Sequence, residues 1–170
     1  MRHPWWWIAT WFGCGLSPIV SGTIGSLGAL PFAYAIQAYG GHTLLFAASI
    51  CIFIIGTWAS NQYLRHTGRE DDPSEIVADE VAGQWLLLSF MPFTLHSYVV
   101  GFILFRTFDI VKPWPVSIAD RKIKGGFGVM FDDILAAIYP AAVYFLGFLA
   151  LTCLNKQEML HPIQEFLAGH

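Results

Sequence analysis

Apolar residues run through this chain in stretches too long for the one-sided patterns of a water-soluble domain. Residues 3–64 are 62 consecutive positions without Lys, Arg, Asp or Glu; 81–105 add 25 more and 134–155 a further 22. A membrane-spanning helix needs about 20 apolar residues, so the last run predicts one span. The first is long enough for two plus an approach segment, and Gly40-Gly41-His42-Thr43 is its natural break, giving helices near 24–40 and 43–64. The middle run carries Met91-Pro92-Phe93-Thr94 at its centre, and proline costs a helix interior about 3 kcal/mol. It therefore reads as a hairpin with arms near 76–91 and 96–112, each about 24 Å long at 1.5 Å per residue.

Composition agrees: 55% of residues are hydrophobic, 12% are charged and the mean hydropathy is +0.54. The expected fold class is all-α, a polytopic membrane protein of about five short transmembrane or re-entrant helices forming a single domain over 1–170. Nine basic residues against 12 acidic ones exclude a nucleic-acid binder. Cys14, Cys51 and Cys153 are too widely spaced for a disulfide framework or a zinc site. With the hairpin, Arg2, Arg65, Arg69, Arg106, Lys112, Arg121, Lys122 and Lys124 share one face and only Lys156 takes the other. A single span would split the eight. The positive-inside rule favours the hairpin and makes the basic face cytoplasmic.

Trp5-Trp6-Trp7 and Trp11 mark residues 4–15 as an interfacial or re-entrant piece rather than a signal peptide. Residues 13–28, with five glycines and Ser17-Pro18, read as an irregular loop, and the segment after Asn155 as weakly amphipathic.

In so apolar a chain the few carboxylates are the informative positions. Glu70, Asp71 and Asp72 read as a solvated loop. Asp79-Glu80 would sit about a turn inside the first hairpin arm, where charge is costly and usually functional, unless they merely favour the positive end of their own helix. Arg106, Asp109 and Lys112, three apart, line one side of the second arm's end. Asp132-Asp133 follow a glycine-rich turn, Gly125-Gly126-Phe127-Gly128, and would open the last span, where a capping role is the plain alternative. Together these groups bring carboxylates and cations to one patch. Hard divalent cations such as Mg2+ take carboxylate, water and phosphate oxygens, and Arg and Lys hold phosphate. A metal-and-phosphate site at a membrane surface points to a phospholipid enzyme. No Cys is followed six residues later by Arg, no Asp-x-Asp-x-Thr occurs, and only His3 and His66 fall on the right face. The Gly126-x-Gly128 pair follows no strand and is no dinucleotide loop. Metal-activated water is the chemistry left. A small transporter would spread ionisable groups through the membrane depth, and a non-enzymatic scaffold would need no acidic cluster.

Three segments resemble the phosphatidylglycerophosphatase A family of bacterial membrane lipid phosphatases: Gly13-Cys-Gly-Leu-Ser-Pro-Ile-Val-Ser-Gly-Thr-Ile-Gly-Ser26, Ile76-Val-Ala-Asp-Glu-Val-Ala-Gly83, and Phe105-Arg-Thr-Phe-Asp-Ile-Val-Lys-Pro-Trp-Pro115, continuing through Asp120 to Gly125-Gly-Phe-Gly-Val-Met-Phe-Asp-Asp133. The resemblance covers about residues 5–140. It implies an all-helical, Mg2+-dependent hydrolase that converts phosphatidylglycerophosphate in the bilayer to phosphatidylglycerol and inorganic phosphate, its active site on the cytoplasmic side of the inner membrane. It also implies Asp79, Glu80, Asp109, Asp132 and Asp133 as metal ligands. Asp79, Glu80, Arg106, Asp109, Lys112 and Asp133 would be catalytic, and Ser17, Gly22, Thr23 and Arg121 would bind substrate with Arg106 and Lys112. Asp109 either ligates, orients Arg106 or acts as general base. Ser21 stands where the family has proline, and Ala137 where glycine commonly follows the Asp-Asp pair; neither departure removes a charged group.

Overall fold

The structure, a computed structural model, describes residues 3–69, 73–114, 116–118 and 123–168, with side chains as far as Cys153. Among these residues the ordered elements are helical: α1 (Pro4–Ala9), a short 3-10 turn (Cys14–Leu16), α2 (Ser21–Thr67), α3 (Ala78–Leu88), α4 (Leu95–Val111) and α5 (Gly125–Ala168). Of the described helices, α2 and α5 are long and apolar enough to cross a membrane.

Helix α2 is broken where the sequence predicts. Gly41 takes φ 68 and ψ -164, a region open essentially to glycine alone. The chain reverses there. Gly25, before the break, packs on Val77, while Gly56, after it, packs on Met130 and Ala78. Both halves therefore return to the start of α3, and each is long enough to span hydrocarbon at 1.5 Å per residue. At the far end, His42 Nδ1 lies 2.9 Å from Gln37 Nε2 and 3.2 Å from the Ser89 carbonyl, and Tyr98 Oη donates to Gln37 Oε1 at 2.7 Å. This partly buried network ties the α2 break to the α3–α4 connection.

The hairpin through residues 78–111 also forms as expected. Helix α3 stops at Leu88, ahead of Pro92, and Thr94 caps α4 by accepting from the Ser97 N–H at 3.1 Å. Helix α3 is the hub. Trp85 Nε1 donates to the Ala29 carbonyl at 3.0 Å, and Ser49 Oγ to the Ala82 carbonyl at 2.8 Å. Gly83 lets the Phe105 ring and the Asp133 carbonyl approach without room for a Cβ. The core around α3 includes Val77, Val81, Trp85, Leu88 and Phe105. Helix α1 packs on the end of α2 through Trp5, which meets Tyr63 and His66, and the Ala9 carbonyl accepts from the Val77 N–H at 2.9 Å.

Three boundaries differ from the sequence expectation. Residues 21–28 are helix rather than loop, because Gly22 and Gly25 serve close packing against α3. Helix α3 begins at Ala78 rather than Ile76, so Asp79 and Glu80 lie in its first turn. The glycine-rich segment is the opening of α5, not a turn before it. Gly126 abuts the backbone of Thr57 and Asn61 and donates its N–H to Asn61 Oδ1 at 2.9 Å. Asp132 and Asp133 thus sit about two turns inside a helix, which removes the capping role.

Candidate active site

The starts of α2 and α3, the end of α4 and the third turn of α5 surround a polar cavity of about 420 Å3. Asp79, Glu80, Arg106, Asp109, Lys112 and Asp133 line it, as do Ser17 and Gly22. Thr23 and Asp132 are adjacent in sequence to lining residues without lining the cavity themselves, and Arg121 lies outside the described residues, as do Glu70, Asp71 and Asp72. Ser21, Ser74 and Ile76 join the lining. Ser74 gave no chemical signal in the sequence beyond its place two residues before the Ile76 segment.

The acids divide by partner. Asp79, Glu80 and Asp133 each offer an oxygen, and these atoms lie within 4.8 Å of one another. Asp109 is bound to Arg106, Oδ2 to guanidinium at 2.7 Å, and the same guanidinium lies 3.6 Å from Glu80 Oε1. Asp132 Oδ2 accepts from Lys112 Nζ at 2.5 Å. The five acids expected around a metal are therefore a cluster of three flanked by two acid–cation pairs. Lys112 reaches inward because it terminates α4 in the left-handed conformation, φ 42 and ψ 62, with its N–H on the Phe108 carbonyl at 2.9 Å. A Cβ at Gly22, at the opening of α2, would have to displace Glu80 Oε1 and the Arg106 guanidinium.

Burial makes this arrangement costly unless a further positive charge joins it. Asp79 is 5% exposed and Asp133 3%. Glu80 Oε2 and Asp133 Oδ2 are buried with no hydrogen-bond partner among the described residues. An unpaired buried carboxylate oxygen bears a large desolvation penalty, and close like charges raise it. A hard divalent cation satisfies both demands with carboxylate ligands, so the cluster fits such an ion.

The other wall is suited to an anion. Helix α2 starts after Val20 without a side-chain cap and with no acid in its first turn. Its first intrahelical bond here is the Ile24 N–H to the Val20 carbonyl at 3.1 Å, so the N–H groups of Ser21, Gly22 and Thr23 precede the ladder at the positive end of the helix. The cavity thus places a cation cluster site beside Arg106, Lys112 and a helix N-terminus, an arrangement able to hold a phosphate monoester against a metal ion.

The comparisons with known proteins agree with the motifs. A phosphatidylglycerophosphatase A of Escherichia coli (strain K12) is 41% identical over 151 residues, covering 86% of this chain and 86% of the relative. A phosphatidylglycerophosphatase A of Haemophilus influenzae is 36% identical over 140 residues, covering 81% and 85%. A Bacteroides thetaiotaomicron protein with the provisional name phosphatidylinositol-3-phosphatase is 40% identical over 139 residues, covering 78% and 86%. No solved structure matches the chain. Residues 7–148 match the family described as phosphatidylglycerophosphatase A, and with relatives this similar over most of its length the chain belongs to that family.

Proposed function

We propose that this chain hydrolyses the terminal phosphomonoester of phosphatidylglycerophosphate, releasing phosphatidylglycerol and inorganic phosphate at the cytoplasmic face of a bacterial inner membrane. The observation that carries the reading is the meeting of the Asp79–Glu80–Asp133 cluster with Arg106 and Lys112 in one cavity, in a chain whose relatives bear that enzyme's name.

Arg106 and Lys112 bind the phosphate oxygens and offset the charge that grows on them during transfer. The α2 N-terminus, with Ser17 and Gly22 beside it, receives the remaining oxygens. Asp109 holds the Arg106 guanidinium in place, and Asp132 does the same for Lys112. Asp79, Glu80 and Asp133 would hold Mg2+, which when bound supplies Lewis-acid polarisation of the phosphoryl oxygens and activation of a water. The water oxygen bonds to phosphorus as the P–O bond to the terminal glycerol breaks; the carboxylates lining the cavity accept the proton that water gives up and return it to the departing glycerol oxygen, so that phosphatidylglycerol and inorganic phosphate leave. The five helical segments (the two halves of α2, α3, α4 and α5) embed in the bilayer with the cavity at its boundary. The Bacteroides relative's name supports a second reading, a broader lipid phosphomonoesterase.

The test is phosphate release in detergent from phosphatidylglycerophosphate, phosphatidic acid and phosphatidylinositol 3-phosphate, with Mg2+ and after chelation. Rapid release from phosphatidylglycerophosphate alone, lost on chelation and restored by Mg2+, supports the first reading. Equal rates on all three establish the second, and release unaffected by chelation removes the metal from the mechanism.

A further inference from the structure

A second cavity, apolar and about 660 Å3, opens between the end of α3 and the length of α5 beyond the catalytic cluster. Leu86, Phe90 and Met91 form one wall, and Ala137, Ala141 and Phe148 belong to the other. It shares no lining residue with the polar cavity, yet α5 joins the two. Asp133, Ala137, Ala141, Phe145 and Phe148 recur at intervals of four, four, four and three, so they form one stripe on one face of the helix. The stripe begins as a carboxylate in the polar cavity and continues as the floor of the apolar one.

Its shape follows from side-chain size. At Gly83 the two helices touch, the Asp133 carbonyl lying where a Cβ would be. Beyond that crossing α5 presents alanines at 137, 141 and 142 while α3 ends at Leu88, and the space between them stays open. From Ala137 to Phe148 the helix advances about 16 Å at 1.5 Å per residue. That is close to half of a hydrocarbon core of about 30 Å, the depth of one leaflet. The groove starts about one helical turn, roughly 6 Å, past Asp133.

We propose that this groove is an acyl-chain subsite: it takes one fatty-acyl chain of the lipid whose phosphate occupies the polar cavity, and so selects long-chain lipid over soluble phosphomonoesters. The assignment of that lipid as a substrate rests on the function proposed above; the occupancy of the groove by an acyl chain does not. One helix face sets the register between the two cavities. A lipid lying in the leaflet that borders the site has its head group level with Asp133 and its chain running along Ala137 to Phe148. The binding energy of the chain then positions the phosphate, since apolar contact remote from the reacting bond fixes its orientation.

Two substitutions fill the groove, Ala141→Phe and, at an exposed position less bound up with packing, Ala142→Trp; Leu146→Trp, on the exposed surface outside the groove, is the control. Hydrolysis of dipalmitoyl and dibutanoyl phosphatidylglycerophosphate is compared for each. Filling the groove is expected to lower kcat/KM for the dipalmitoyl lipid by about tenfold or more, the loss of a few buried methylenes, and to leave the dibutanoyl lipid within about twofold. Leu146→Trp should change neither. Equal losses on both lipids for Ala142→Trp, or no loss on either, overturn the subsite. A readout free of catalysis uses phosphatidylglycerol with a photoactivatable group midway along its chain. Crosslinks should concentrate at Phe90, Phe145 and Phe148 and be displaced by dipalmitoyl but not dibutanoyl phosphatidylglycerol. Even labelling that includes Leu146 overturns the groove. Concentrated labelling without hydrolysis of any lipid phosphomonoester leaves the subsite standing and overturns the proposed function instead.

Discussion

Asp133 and Glu80 each carry a buried oxygen that lacks a hydrogen-bond partner among the described residues, and their replacement separates a metal site from a structural acid cluster. Asp133→Asn and Glu80→Gln keep shape and remove charge. Each is expected to lower kcat by about a hundredfold or more, the scale of losing one preorganised electrostatic group, while thermal stability in detergent holds or rises because buried like charge is relieved. A matching loss of stability would show that the acids serve folding. Gly22→Ala tests the same site through its backbone. The added methyl meets the Glu80 carboxylate and Arg106, so activity should fall at least about tenfold. Gly147→Ala, where a Cβ meets nothing within 4 Å, should be silent in the same assay. At this scale the sequence was informative because charge is so scarce: long uncharged runs left each acid and base conspicuous. What it could not give was their pairing. The Lys112–Asp132 contact joins residues 20 apart in the chain and depends on Lys112 adopting positive φ, a conformation that no side chain but glycine announces.

Among the helices, proline and glycine carried unequal information. Pro92 ended α3 as expected, and the Gly40–Gly41 pair broke α2. The same residue type misled at 21–28 and at 126–128, where glycines read as loop are helical and exist for close approach. The physical reason is that glycine serves both needs, and only the neighbouring helix decides between them: Val77 and Glu80 opposite Gly25 and Gly22, Thr57 and Asn61 opposite Gly126. Gly41 is the clean case. A Cβ there meets nothing within 4 Å, yet φ is +68, so Gly41→Ala introduces backbone strain without a clash. The expected cost is about 1–3 kcal/mol, read as a lower midpoint of thermal unfolding in detergent. Because the break lies at the far end from the cavity, kcat at a temperature where the variant is folded should stay near that of the unmodified chain. A loss of activity with unchanged stability would mean that the reversal at Gly41 sets the site geometry directly.

For the molecule as a whole, the distribution of charge predicts orientation. Arg65, Arg69 and Lys124 line a common cavity where the end of α2 meets the start of α5, and Arg106 and Lys112 lie at the catalytic cavity on the same end of the bundle, joined to it by the return of both α2 halves to α3. The opposite end holds the Gln37–His42–Tyr98 network and the α3–α4 connection. Retention of Lys and Arg on the cytoplasmic side therefore predicts a cytoplasmic active site, with the chain at Leu95 facing the other side. Single cysteines at Leu95, which is 81% exposed, and at Lys124 report the two ends, in a background where Cys14, Cys51 and Cys153 are replaced because Cys51 and Cys153 are exposed thiols. A membrane-impermeant maleimide added to intact cells should label Leu95→Cys and spare Lys124→Cys until the membrane is opened. Equal labelling from outside would break the hairpin topology, and labelling of Lys124→Cys alone would invert it. Inversion would carry a chemical consequence as well. A cavity on the outer side would draw its lipid from the outer leaflet, so the labelling pattern bears on substrate supply as directly as on orientation.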